Sequence, residues 1–476
     1  MRHGTGSTGD DAAGAAGAAR CPYTAQTALS PQQDGDRGLA RGEEPPWEQL
    51  RSRHGGLVSV EVSPGVPGWL LLGYKENLQV LRDQTHFSAD PRPWNASGAA
   101  PVRGAALSHD GDEHLRLRQP IVDALASVGT QQLVPVVQRA AVHLIGRVES
   151  AGAADLIGQY AAPLPALALN ELLGLPDSYG HLLADLGANL WSGDPDRAAT
   201  AAPAVRAYFR GLVARKRAEP GRDLTSLILE HPHGLTDDEA VEALHLLWAA
   251  GHEPTTHLIG NALLRLIEDP GVWTAYLGGT LTPEDFVDYV MWTEPPVSVL
   301  AGRYATTDMR FAGARIRRGE PLLFGFGSAH TDPSVSGDTA DSVALLAGNR
   351  AHLSWGAGAH RCPATAFTRE LVRTAIDTAL DRMRGMVMAV EPAGLRWRPA
   401  PGVHGLVELP VWFTPTGERE QSGARPEPRE PVIRRRSRRR TRLPAAQGAR
   451  YQAPFAEKPH VPDPLEQLLE AWNPRS

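Results

Sequence analysis

One cysteine in this chain stands where its thiol can be made anionic. Cys362 lies in the window Trp355-Gly356-Ala357-Gly358-Ala359-His360-Arg361-Cys362-Pro363-Ala364. Two glycines ahead of it permit tight backbone geometry, and Pro363 suits the first position of a helix. Phe367, Leu371, Ala375, Ile376 and Leu380 then recur with helical period. The spacing places Cys362 at a helix N-terminus, where free N–H groups and the macrodipole favour a thiolate. His360 and Arg361 add basic character beside it. Such a residue can be a small buried hydrophobe, the commonest fate of a free cysteine, or a catalytic nucleophile. A third role is ligation. An anionic sulfur on a Gly-rich loop, with cations nearby for carboxylates, meets the needs of a haem iron and its propionates.

The most informative positioning element is a long helix predicted from Thr236. Thr236-Asp237-Asp238-Glu239 is a capping box. Val241, Leu244, Leu247, Trp248, Leu258, Ile259, Leu263, Leu266 and Ile267 fall mostly at helical spacing, and Asp269-Pro270 ends the run. Gly251 and Pro254 interrupt its middle. A long helix broken at its centre often passes close to a ligand. His252, Glu253 and His257 on it do not make a zinc protease motif, which needs histidines at i and i+4.

Around these elements the chain has 476 residues, 42% of them apolar, which is ample for a large core. Residues 1–45 lack periodicity and read as disordered. Val58–Ser63 alternates and reads as a strand, Pro64–Gly68 as a turn, and Trp69–Leu72 as the second strand of a hairpin. Helical patterns dominate from about Lys75 to Asp269. Cys21 and Cys362 form no CxxC pair or disulfide ladder. No apolar run can span a bilayer, and no signal peptide is recognisable, so the expected location is cytoplasmic.

The net charge of −6 conceals an asymmetry. Residues 416–476 hold 13 basic and 8 acidic residues, leaving 35 basic and 46 acidic elsewhere, or +5 against −11. A mainly acidic body argues against nucleic acid as the principal ligand. The tail reads as disordered and carries seven arginines between Arg434 and Arg442. Leu465, Leu468, Leu469 and Trp472 then stand at i, i+3, i+4 and i+7 behind Asp463-Pro464. That stretch predicts a short amphipathic helix for docking a protein partner or for folding back on its own domain.

The Cys362 window resembles the haem loop of the cytochrome P450 family, with Trp355 for the family's Phe and Ala364 for its last Gly. The resemblance covers about residues 46–415. It implies a mainly α protein with small β-sheets (α+β), a long central helix over the haem, and haem b (iron protoporphyrin IX) with Cys362 as axial iron ligand. His114 and Arg118 match the family's His-x-x-x-Arg, and Arg303 its strand arginine, so with His360 they are expected to bind the propionates. Taken alone, the His114/Arg118 pair would read as a solvated helix face. His404–Val411 resembles the last strand pair. Ala250–Thr256 resembles the oxygen-activation segment, which implies proton delivery by Glu253. The family's alcohol position is Pro254; Thr255 comes one residue later, about 100° around a helix, and is expected to serve in the relay through a kink at Pro254.

The family's buried Glu-x-x-Arg pair is absent. Tyr289 and Trp292 stand in its place, and Ser342 stands near the position of a further partner, usually Arg. Replacing a whole buried ion network by apolar groups is tolerable where breaking half of it is not. Aromatic packing is therefore expected there, as in a branch of actinobacterial cytochromes P450 that lacks the pair. Two functions follow. The first is a monooxygenase oxidising a small organic substrate with dioxygen and electrons from ferredoxin and ferredoxin reductase. The second, motivated by Pro254, Tyr289, Trp292 and the tail, is a haem-binding regulatory or scaffold protein with little or no oxygenase activity.

Overall fold

The computed structural model describes residues 30–31, 46–63, 66–92, 106–192, 194–336, 348–398, 402–415 and 463–472. Most of the N-terminal segment, Cys21, Ser342 and the arginine tract Arg434–Arg442 lie outside them. In chain order the first helices are α1 (Trp47–His54), α2 (Tyr74–Arg82), α3 (Gly111–Ser127), α4 (Thr130–Gly146) and α5 (Pro163–Leu172). Next come α6 (Asp177–Leu190), α7 (Pro195–Ala218), α8 (Leu224–Leu229), α9 (Asp237–Glu268) and α10 (Pro270–Leu277). The last are α11 (Pro283–Thr293), α12 (Phe326–His330), α13 (Pro333–Ser336), α14 (Thr365–Arg382) and α15 (Pro464–Ala471).

The expected class, mainly α with small sheets, is what is observed. A six-stranded sheet runs in the order β1 (Ser30–Pro31), β2 (Leu57–Ser63), β3 (Val66–Leu71), β9 (Pro321–Gly325), β6 (Val299–Ala305), β4 (Phe87–Ser88). A second sheet joins β10 (Val387–Met388), β11 (Pro410–Trp412) and β5 (Ala153–Asp155), and β7 (Met309–Phe311) pairs with β8 (Ala314–Ile316). The predicted hairpin forms, but its turn is shorter than expected. Val66, Pro67 and Gly68 already pair with Ser63, Glu61 and Val60. Pro67 is tolerated because the ladder to β9 starts only at Trp69.

The core is helical. Helix α9 carries the capping box read from the sequence: Thr236 Oγ1 accepts from the Glu239 N–H, and the Glu239 carboxylate accepts from the Thr236 N–H. It continues through Gly251 and Pro254 for 32 residues, and Trp248, Leu258, Ile259, Leu263 and Leu266 are buried along it. The proline removes one backbone donor without ending the helix because α5, α7, α11 and α14 pack around it. None of the described helices is long and apolar enough to cross a membrane.

The terminal amphipathic stretch folds back on its own domain. Helix α15 has a second capping box, Asp463 with Glu466. Leu465 is fully buried against Gly211 of α7. Arg215 donates to Asp463 Oδ2 at 2.7 Å and to Glu466 Oε1 at 3.4 Å, while Trp472 Nε1 donates to Asp185 Oδ2 of α6 at 2.9 Å. The apolar face that suggested a protein partner is thus used within the chain.

Candidate functional site

The Cys362 loop has the tight geometry its glycines imply. Gly356 and Gly358 adopt φ of +66° and +70°, and a Cβ on Gly358 would lie 2.5 Å from the Leu81 carbonyl oxygen. The Cys362 N–H donates to the Trp355 carbonyl at 2.7 Å, closing the loop. Helix α14 begins at Thr365 with Ala364 as its cap, two residues later than Pro363 predicts. Burial pushes the Cys362 thiol up from its ordinary value; the Ala364 N–H, Arg118, Arg361 and the Thr365 hydroxyl pull it down, but less strongly. The helix terminus alone therefore does not make the thiolate.

Three elements bring basic side chains towards this loop. Helix α3 supplies His114 and Arg118, one turn apart on one face. The loop itself supplies His360, whose ring stacks on His114 with centroids 3.9 Å apart. Strand β6 supplies Arg303. Its pairing with β9 slips between Ala301 and Arg303, where Gly302 takes φ of +146°. This bulge turns Arg303 inward, where it is 5% exposed. Arg118 donates to the Arg361 carbonyl, at the residue before Cys362.

The electrostatics of this group are unbalanced. Burial, with His360 and Arg118 nearby, lowers His114 to about 4, and burial lowers Arg303 to about 10. Among the described residues the one carboxylate engaged with the group is Asp110, which pairs with His360 Nε2 at 3.3 Å. Burial raises Asp110, but hydrogen bonds from His360, Ser88 and the Ala89 N–H outweigh it and hold it near 2. His114 Nε2, His360 Nδ1 and Arg303 Nε are buried without a hydrogen-bond partner among the described residues. Buried polar nitrogens left unpaired, beside the charged guanidinium groups of Arg118 and Arg303, fit a dianionic ligand. A part-buried thiol among them fits the metal of that ligand, so this residue set fits a haem with two propionates.

Helix α9 passes Glu253 and Thr255 through the interior, 5% and 3% exposed. Glu253 is gripped. Its Oε1 accepts from Arg398 Nη1 at 2.9 Å and lies 3.2 Å from His257 Nε2. Burial would raise this carboxyl, but His257, Arg398 and His252 together hold it below its ordinary value. Arg398 also donates to the Trp191 carbonyl at the end of α6. His252 points elsewhere, with Nε2 2.7 Å from the Ala162 carbonyl. Thr256 Oγ1 is buried without a partner among the described residues.

No family model matches the chain. It is 30% identical over 379 residues to nocardicin C N-oxygenase of Nocardia uniformis, across 77% of this chain and 94% of that protein. It is 29% identical to cytochrome P450 107B1 of Saccharopolyspora erythraea, across 80% and 95%. Among solved structures, P450BioI in complex with an acyl carrier protein aligns with TM-score 0.68 and 27% identity, over 77% and 97% of the two chains. A myxobacterial cytochrome P450 bound to myristic acid aligns with TM-score 0.69 and 26% identity, over 77% and 95%. The chain belongs to the cytochrome P450 family. Its relatives are bacterial haem monooxygenases, hydroxylases and oxygenases.

Against the cytochrome P450 pattern, one expectation needs correction. Tyr289 and Trp292 are buried aromatics as anticipated, and Trp292 Nε1 donates to the Asn349 carbonyl at 2.7 Å. The ionic network, however, has not given way to apolar packing. Asp288, one residue earlier and fully buried, binds Arg369 and lies 3.1 Å from His352 and 3.4 Å from Arg350. A buried acid thus stands one residue before the motif position, with its partners on other elements. Arg398, His257 and Asp110 were also missed. Arg398 meets Glu253 across 145 residues of chain, and no local spacing signals such a contact. The His257–Glu253 pair, by contrast, is an i, i+4 pair visible in the sequence.

Proposed function

We propose that the protein is a haem b monooxygenase that oxidises a small organic substrate, with electrons from ferredoxin and ferredoxin reductase. The observation that carries this reading is the cluster of His114, Arg118, Arg303 and His360 beside Cys362, with three buried nitrogens unpartnered among the described residues. Cys362 would hold the iron, and the two arginines and two histidines would hold the propionates. The haem, so bound, supplies dioxygen activation, with thiolate donation favouring O–O cleavage. The haem domain is assigned to residues 46–415.

The chain's own residues would handle protons. Glu253 sits at the family's acid position, and Thr255 stands one residue past the alcohol position held by Pro254. Proton delivery requires Glu253 to exchange its grip on Arg398 for water, because an ionised carboxylate locked in an ion pair cannot pass a proton on. Arg398 and His257 keep that carboxylate charged and oriented until then.

The test is spectroscopic first. Reduced protein under carbon monoxide should show the red-shifted Soret band of thiolate ligation, and Cys362→Ala should abolish it. Substrate oxidation with surrogate ferredoxin and reductase, or driven by hydrogen peroxide, then separates a monooxygenase from a haem-binding scaffold. A thiolate band without turnover on any panel of small hydrophobic substrates favours the scaffold. Unchanged turnover in Glu253→Gln and Thr255→Ala would remove both from the relay.

A further inference from the structure

We propose that Asp288 is the positioning residue for the cysteine loop, doing from α11 what the family's missing Glu-x-x-Arg pair would otherwise do. The inference rests on Cys362 being the haem ligand. It starts from an otherwise unexplained group: a carboxylate with no exposed surface, one residue outside the expected motif.

Asp288 reaches both arms of the loop. Downstream of Cys362, Arg369 on the first turn and a half of α14 donates to Asp288 Oδ1. Upstream, His352 Nε2 lies 3.1 Å from the same oxygen. Arg350 Nε stands 3.4 Å from Oδ2. Two further bonds from α11 hold the upstream arm. Trp292, on the same helix face as Asp288 at i+4, donates from Nε1 to the Asn349 carbonyl at 2.7 Å. Ser354 Oγ donates to the Met291 carbonyl at 3.0 Å. The arm ends at Trp355, whose carbonyl receives the Cys362 N–H at 2.7 Å.

The sulfur is therefore fixed from both sides by one helix, and Asp288 is the only member of that set that touches both arms. The aromatic residues complete the arrangement. Trp292 packs edge-on against His330 and His352, with centroids 5.0 and 6.1 Å away, which confines the His352 ring that Asp288 engages. Losing the carboxylate would leave Arg369 part-buried beside an uncharged site and release His352, so the two arms would no longer share an anchor.

The experiment uses the full-length holoprotein. Asp288→Asn keeps the volume and removes the charge, Asp288→Glu tests rescue, and Arg369→Gln removes the downstream partner. Each is read by the reduced carbon monoxide spectrum, by the rate of haem transfer to an excess of apomyoglobin, and by far-UV circular dichroism. Asp288→Asn should keep the wild-type helical spectrum, lose much of the thiolate band, and transfer haem at least about tenfold faster, as expected when a buried charge loses its partner. Arg369→Gln should follow it, and Asp288→Glu should recover part of the band. A thiolate band and transfer rate within twofold of wild type in Asp288→Asn overturn the proposal. So does loss of the helical spectrum in both Asp288→Asn and Arg369→Gln, which would make the group a general fold determinant. A wild-type protein without the thiolate band fails the haem assignment itself, a separate result.

Discussion

Arg398→Met offers a test of the interior around the long helix. The substitution keeps the aliphatic stem and removes two bonds, to Glu253 Oε1 at 2.9 Å and to the Trp191 carbonyl. Glu253, 6% exposed at its side chain, is left with His257 as its remaining partner at 3.2 Å. Breaking a buried ion pair by removing one side costs about 3–5 kcal/mol. For a domain of about 370 residues, the usual unfolding entropy per residue makes 1 kcal/mol worth roughly 1.3 °C, so the melting temperature should fall by about 4–6 °C at pH 7.

The sign with pH follows from Glu253. Its folded value is depressed, so its contribution to stability is present above the unfolded value and is lost as pH falls through the folded one. In Arg398→Met the carboxyl is less well held, so the deficit should be greatest at neutral pH and shrink as Glu253 protonates below its ordinary value of 4.5. Glu253→Gln in the Arg398→Met background should recover part of the loss, because a neutral side chain needs no counter-ion. Thermal scans of the wild type, Arg398→Met, Glu253→Gln and the double variant at neutral and mildly acidic pH make the measurement. A melting temperature within 1 °C of wild type at pH 7, or a deficit that grows with acidity, would refute the reasoning.

Other consequences are local. Leu465→Ala should undock α15 at a cost of about 2–3 kcal/mol, seen as faster amide exchange in α15 and the facing turns of α6 and α7, with α9 and α14 unchanged. Burial raises Asp463, but bonds from the Glu466 N–H and Arg215 outweigh it and depress the carboxyl, so α15 should hold above its ordinary value of 3.8 and loosen as pH falls below that. Limited proteolysis across that range reads it; release on raising the pH would contradict the sign. Gly358→Ala combines a φ of +70° with a 2.5 Å contact to the Leu81 carbonyl, so it should abolish the thiolate carbon monoxide band, and an unchanged band would show that the loop is looser than its geometry implies.

Much of this protein was legible in its sequence because the signals are local. The capping box at Thr236, the glycines before Cys362 and the i, i+4 pair His114/Arg118 each specify geometry within one turn or one loop. They were enough to reach the fold class, the family and the candidate ligand. Local signals also set the limits of the reading. The partners of the buried acid Asp288, one residue before the motif position Tyr289, are invisible until α14 and the 349–355 segment are seen around it. An amphipathic stripe says that a helix must bury a face, not what covers it, and α7 covers α15 here because Gly211 leaves room for Leu465. Glu253 was named from its place in a motif, but its charge is held by Arg398, which arrives from the far end of the domain. The sequence by itself determined which elements form and where a thiolate ligand is expected. Tertiary structure decided which buried charges meet, because their partners lie dozens to more than a hundred residues away and only burial makes their pairing obligatory.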